Sequence, residues 1–350
     1  MMAWVFLAWL AQAPPLEAEK ARIGARPPLT EEQKKEYSLP DSPRLKPRAG
    51  YVLAVIPLDF PDRASETKGL EKLFFERVAG YYAHASAGQF TLRGKVYGPV
   101  ALEVERSKFA EHDLGRALTS FLAREGKEVV ATFDGVAFVA AGPMGARGTA
   151  LWPRKETIRS VDCILVPGDA GVAVIAHEFM HLLGFADKYG DEKVSVGGEC
   201  ILGTGYSVKD PPLPCADCRE RLGWTSPVSI DPTRTAAFVL GPDLKRSVKI
   251  ALNADGSEVL LLELQERLVI WHSGGGQKLE RVGRYPTATS DRLTPFSEPP
   301  FRGRAVGARN VWITDIRIED GKAWFRVGPD APLTAIEEWR KSSVGRRLGD

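Results

Sequence analysis

The stretch His177-Glu178-Phe179-Met180-His181-Leu182-Leu183-Gly184-Phe185-Ala186-Asp187 constrains this chain more than any other. Histidines four apart on a helix lie one above the other on the same face, so their imidazoles can converge on a single cation. Glu178 projects beside them, where a carboxylate can take a proton from a water that a metal has acidified. Gly184, three residues past His181, admits a backbone conformation closed to other residues, so the helix can stop and the chain can turn back. That return brings Asp187 within reach of the same cation as a third ligand, with Glu192 or Glu199 next in line should another carboxylate serve. Three protein ligands and a fourth position open to water make a catalytic zinc site rather than a structural one.

Composition narrows the class of partner. The chain has 350 residues, 44% hydrophobic and 26% charged, with a net charge of +2. Its basic residues are spread without a run long enough for nucleic acid or a membrane surface. Residues 2 to 13 form a short apolar run ending in a small-x-small pattern, too short to span a bilayer as a helix. The expectation is a secretory signal over residues 1–13 and a secreted or extracytoplasmic protein. No Lys or Arg precedes the run and Pro14 follows it, which leaves cleavage elsewhere or an uncleaved anchor open. Cys163, Cys200, Cys215 and Cys218 permit disulfides in an oxidising compartment. Cys215-x-x-Cys218 either joins Cys200 in a small structural metal site or supplies one half of a disulfide to Cys200. The disulfide is the expectation because no fourth metal ligand is evident, and Cys163 then serves as a small buried hydrophobe.

Residues 14–48 are rich in Pro, Lys, Glu and Arg and can bury little alone, as expected of an extended leader or pro-segment. From residue 49 to about 225, strands alternate with helices. The run Tyr51 to Phe60 is continuous and apolar, as for a strand buried on both faces. Lys68 to Ser86 and Asp113 to Arg124 are helical in spacing, Gln89 to Tyr97 and Gly135 to Ala141 read as strands, and Val161 to Val166 leads into a helix from about Ala170 to Leu183. This predicts an α/β catalytic domain, a mixed sheet with the metal-binding helix packed on it. After Thr225 short alternating strands take over, which predicts an all-β, sandwich-like domain over 226–330 and a tail over 331–350.

With these residues in view, the chain resembles the secreted metallopeptidases of the immune inhibitor A family, within the zincin and more loosely the metzincin class. The resemblance runs from about Tyr51 to Val327. It rests on Val55 to Asp62, on Ser86-Ala87-Gly88-Gln89-Phe90 leading into Gly94-Lys95-Val96, on His177 to Asp187, and on Arg221-Leu222-Gly223-Trp224. Val311 to Ile316, followed by Asp320-Gly321, is similar to that family's β-domain. The resemblance implies one catalytic zinc held by His177, His181 and Asp187, with Glu178 as general base. The chain departs from the class in two places: the third ligand is Asp187 where many metzincins have His, and Leu202 stands where they usually place a methionine beneath the metal. Leucine is an exchange of similar volume.

The expected activity is that of a zinc-dependent endopeptidase acting on protein or peptide substrates, binding no nucleic acid, carrying no integral membrane span and working as a monomer. Tyr206, shortly after the turn, would donate a hydrogen bond to the developing oxyanion or else sit in the core. Calcium has no recognisable ligand register in the acidic loop from Asp187 to Glu192 and is not assigned. The alternative from another class is a non-catalytic adhesion or carbohydrate-binding protein with a vestigial zinc site. Its working surface would be Trp271-His272 and the Pro-rich stretch Phe296 to Phe301, read as exposed aromatics.

Overall fold

The computed structural model describes residues 45–142, 161–188, 196–203, 211–241, 243–264, 268–274, 277–285, 311–319 and 321–329. The expectations for the apolar run at 2–13, the leader up to residue 44 and the tail from 331 lie outside these residues.

Strand β1 (Gly50–Asp59) begins the first sheet, as its unbroken apolar run predicts. A helical stretch, α1, follows over residues 70–85, built from Leu70–Lys72, a π-helical Leu73–Val78 and Ala79–Ala85. Strands β2 (Thr91–Val96) and β3 (Val100–Ala101), helix α2 (Glu111–Glu125), and strands β4 (Gly135–Ala140) and β5 (Asp162–Pro167) come next. The strand order is β2-β1-β4-β5, with β3 also pairing β1. Every described pairing in this sheet is parallel, where a mixed sheet was expected. The physical reason is connection: α1 carries the chain from β1 to β2 and α2 carries it from β3 to β4, and such crossovers return strands in the same direction.

The period of two along β1 then sorts its side chains onto opposite faces. Tyr51, Leu53 and Val55 enter one core, with Phe74, Val78 and Tyr82 of α1. Ala54, Ile56 and Leu58 enter another, with Leu114, Ala117, Leu118, Phe121 and Leu122 of α2. Helices therefore cover both faces, which is why β1 reads as apolar throughout.

Helix α3 (Val172–Leu182) leaves β5 and carries the histidines, and the short helix α4 (Ala216–Arg221) closes this part of the chain. Eight strands follow: β6 (Ser226–Ile230), β7 (Ala236–Leu240), β8 (Arg246–Ala251), β9 (Glu258–Leu264), β10 (Leu268–Gly274), β11 (Gln277–Tyr285), β12 (Trp312–Glu319) and β13 (Lys322–Gly328). They form one sheet in the order β11-β10-β9-β8-β6 and another in the order β12-β13-β7. Leu260, Leu262 and Ile270 from the first meet Leu240, Ile313, Phe325 and Val327 from the second in a shared core. The opposite face of β9 and β10 is buried too. Val259, Leu261, Val269 and Trp271 belong to the same core as Phe179 of α3 and Trp224. Among the described residues no helix is long and apolar enough to cross a membrane.

Candidate active site

The site is assembled on the end of α3. This helix is buried almost all round: Ala173, Ile175, Ala176, Phe179, Met180 and Leu182 leave little room for a solvated face. Such a helix is held by packing rather than by propensity. The Phe179 ring meets Tyr51 edge-on at 5.1 Å and Tyr82 at 5.0 Å, measured between centroids. Tyr82 also donates its hydroxyl to the Ala176 carbonyl at 2.5 Å, so α1 fixes the helix one residue before the first histidine. Burial drives the Tyr82 hydroxyl's pKa far above its usual range, with the neighbouring Cys218 and Cys200 adding to it, so it stays a donor.

Gly184 ends the helix with φ +104°. Its amide bonds the His181 carbonyl at 2.9 Å and the Phe185 amide bonds the Met180 carbonyl at 3.2 Å, the pair of bonds that defines a Schellman turn. A Cβ at this glycine would stand 3.2 Å from the Leu45 backbone, close enough that the neighbouring chain would have to shift. The turn directs Phe185, Ala186 and Asp187 back beneath the helix.

That return orients both imidazoles. His181 Nδ1 lies 2.8 Å from the Phe185 carbonyl, and His177 Nδ1 lies 2.7 Å from the Ile201 carbonyl. A carbonyl only accepts, so each Nδ1 carries the proton, which in a neutral ring makes each Nε2 a lone-pair donor to a cation. Asp187 Oδ1 stands 3.0 Å from His177 Nε2 and 3.6 Å from His181 Nε2. Ligand atoms about 2.0 to 2.1 Å from a tetrahedral zinc stand about 3.3 Å from one another, so the observed spacing suits such an ion. The same Oδ1 is buried and receives no hydrogen bond. With both Nδ1 protons committed to carbonyls, three electron-pair donors face one another at close range. That arrangement is repulsive between neutral imidazoles and a carboxylate until a cation sits among them. The residues present therefore fit a metal ion, with His177, His181 and Asp187 as its ligands.

Glu178 is 6% exposed, on the same helical turn that separates the histidines. With Asp187 it contributes two formal negative charges to a buried site, which a divalent cation would balance. Asp187 keeps 15% of its side chain exposed, so the site reaches solvent on the Asp187 side. Of the other carboxylates considered, Glu199 is not part of the convergent group among the described residues, and Glu192 lies outside them, as does Tyr206. Leu202 is fully buried, and its carbonyl accepts the Lys188 amide at 3.0 Å, which ties the segment 200–203 to the residue after Asp187.

Ile201 and Phe185 act here only through backbone carbonyls. No residue type is needed for that, so nothing in the sequence marked them. Two expectations are corrected. Trp271 is completely buried and donates its indole N–H to Glu263 at 2.6 Å, and His272 is buried beside Glu258, so this pair is not an exposed binding surface. Phe296 to Phe301 lies outside the described residues. The expected disulfide from Cys200 is not formed: all four cysteines are free thiols. Cys215 and Cys218 sulfurs are 3.5 Å apart, against about 2.05 Å for a bond, because they converge as a group of three with Cys200.

No protein-family model matches the chain, and no match to it was found among curated proteins. Among solved structures, metalloproteinase-II from Bacteroides fragilis is similar over 58% of this chain and 60% of that one, at 16% identity and a TM-score of 0.32. A chaperone-substrate complex is similar over 41% of this chain and 25% of the matched one, at 17% identity and a TM-score of 0.24. In both cases the matched region spans less than two thirds of the other protein. Likenesses this remote carry no assignment, and the functional reading rests on the site itself.

Proposed function

We propose that this chain is a zinc-dependent endopeptidase that works outside the cytoplasm. The observation that supports it best is the convergence of His177 Nε2, His181 Nε2 and Asp187 Oδ1 at the end of the helix that also carries Glu178. Zinc held by these residues would supply Lewis acidity, acidifying a water and polarising a scissile carbonyl.

The remaining work falls to the chain's own groups. The Ile201 and Phe185 carbonyls hold each imidazole in one tautomer and one orientation. Glu178, buried on the turn of helix between the two histidines, takes the proton of the attacking water and delivers it to the departing amine. Burial keeps its carboxylate from being screened by bulk solvent. Tyr206 is proposed as a hydrogen-bond donor to the developing oxyanion.

The test compares zinc-loaded wild type with Glu178→Gln on casein and on a broad peptide library. The expected result is cleavage by the wild type and a loss of roughly 10² to 10⁴-fold in the variant, which retains the metal. Equal rates in the two proteins, or cleavage by neither, would overturn the reading.

A further inference from the structure

We infer that Cys200, Cys215 and Cys218 form a second metal site, closed to water, in which three sulfurs surround a thiophilic d10 cation. This inference does not rest on the peptidase reading. The three side chains are completely buried, and their sulfurs all lie within 4.8 Å of one another. Sulfurs each about 2.3 Å from one cation stand about 3.8 to 4.0 Å apart, so the group closes on an ion with small movements. The Cys215 amide points at the Cys200 sulfur at 3.4 Å, and the Cys215 and Cys218 sulfurs are 3.5 Å apart. A disulfide would use two of the sulfurs and strand the third in an apolar core, whereas a cation uses all three.

Charged groups stand close to the cluster. The Lys188 side chain is largely buried, with its ammonium 3.0 Å from Asp217, and Arg221 stands 3.9 Å from the same carboxylate.

The site would have a mechanical consequence. Cys200 precedes Ile201, whose carbonyl orients His177, while Cys215 and Cys218 flank the start of α4. A cation there clamps the segment 200–203 to α4 and so fixes the wall against which the first histidine is set.

The experiment is zinc K-edge X-ray absorption on the reduced, full-length chain after zinc loading, with copper(I) loading in parallel. The expected result for zinc is two ions per chain and a sulfur shell at about 2.3 Å beside a nitrogen and oxygen shell. His177→Ala/His181→Ala should keep one ion with the sulfur shell, and Cys200→Ser should lose that shell. The wild-type and histidine-variant spectra decide the matter even if Cys200→Ser does not fold. Absence of a sulfur shell in wild type with either metal, read at each metal's own K-edge, or its persistence in Cys200→Ser, would overturn the assignment.

Discussion

The histidine triad and the cysteine triad both gather three ligand atoms in the interior, yet they are built in opposite ways. His177, His181 and Asp187 come from eleven consecutive residues, and one helix and one turn bring them together. Cys200, Cys215 and Cys218 come from a loop segment and the start of α4, and only tertiary packing makes them neighbours. The first set offers nitrogen and carboxylate donors and reaches solvent at Asp187; the second offers three sulfurs with no exposure. A set of mixed donors at a partly open edge suits an exchangeable water and chemistry. A closed set of thiolates suits permanent cross-linking. The segment 200–203 joins the two, since Ile201 serves one triad and its neighbour Cys200 the other.

Substitutions that strike one triad alone separate these roles. The largest effect falls on the reaction: Glu178→Gln should lower the rate of peptide hydrolysis by roughly 10² to 10⁴-fold, with metal content and melting temperature unchanged. A parallel loss of metal would show that Glu178 is a ligand rather than a base.

Glu263→Ala strikes the cysteine side. Glu263 pairs with Arg219, accepts the Ala216 amide at 3.1 Å and accepts the Trp271 indole, all in the interior. Its loss leaves the buried guanidinium without its carboxylate, which costs on the order of 3 to 5 kcal/mol. Chemical denaturation should show that loss, and thiol alkylation should show Cys215 and Cys218 becoming reactive before any change at the histidines.

Gly184→Ala strikes the histidine side. A side chain at φ +104° and against the Leu45 backbone strains the turn, at about 1 to 3 kcal/mol, and displaces Asp187 and the Phe185 carbonyl. Zinc affinity at the histidines should fall by about 10 to 100-fold while sulfur-bound metal stays, as a metal titration would read. The smallest change is Leu202→Met, between the triads. It conserves volume in a fully buried position, so less than about 1.5 kcal/mol and no metal should be lost in a melt and a metal assay.

How much of this was legible in the sequence follows from the same contrast. The histidine triad was legible because its spacing is local. The apolar runs at β1, β4, β5 and β9 were legible because side-chain period and burial agree along a strand. Strands β6 and β11 left a weaker mark: they stand at the two ends of the described strand order, and Pro227 in β6 and the charged residues in the sequence of β11 interrupt the apolar alternation. The carbonyls of Ile201 and Phe185 left no mark, since every residue has one. Trp271 beside His272 looked like a surface pair; its indole is buried because Glu263 supplies the acceptor that its N–H needs.

The central claim is that metal at the histidine triad carries peptide hydrolysis. It is tested most directly by titrating zinc into metal-free protein while following cleavage of an unstructured peptide substrate. The account predicts a rate that rises in proportion to ion bound at the nitrogen and oxygen site, levels off when that site is full, and stays at background in His177→Ala/His181→Ala. Cleavage by the metal-free protein, or a rate independent of that occupancy, would contradict it.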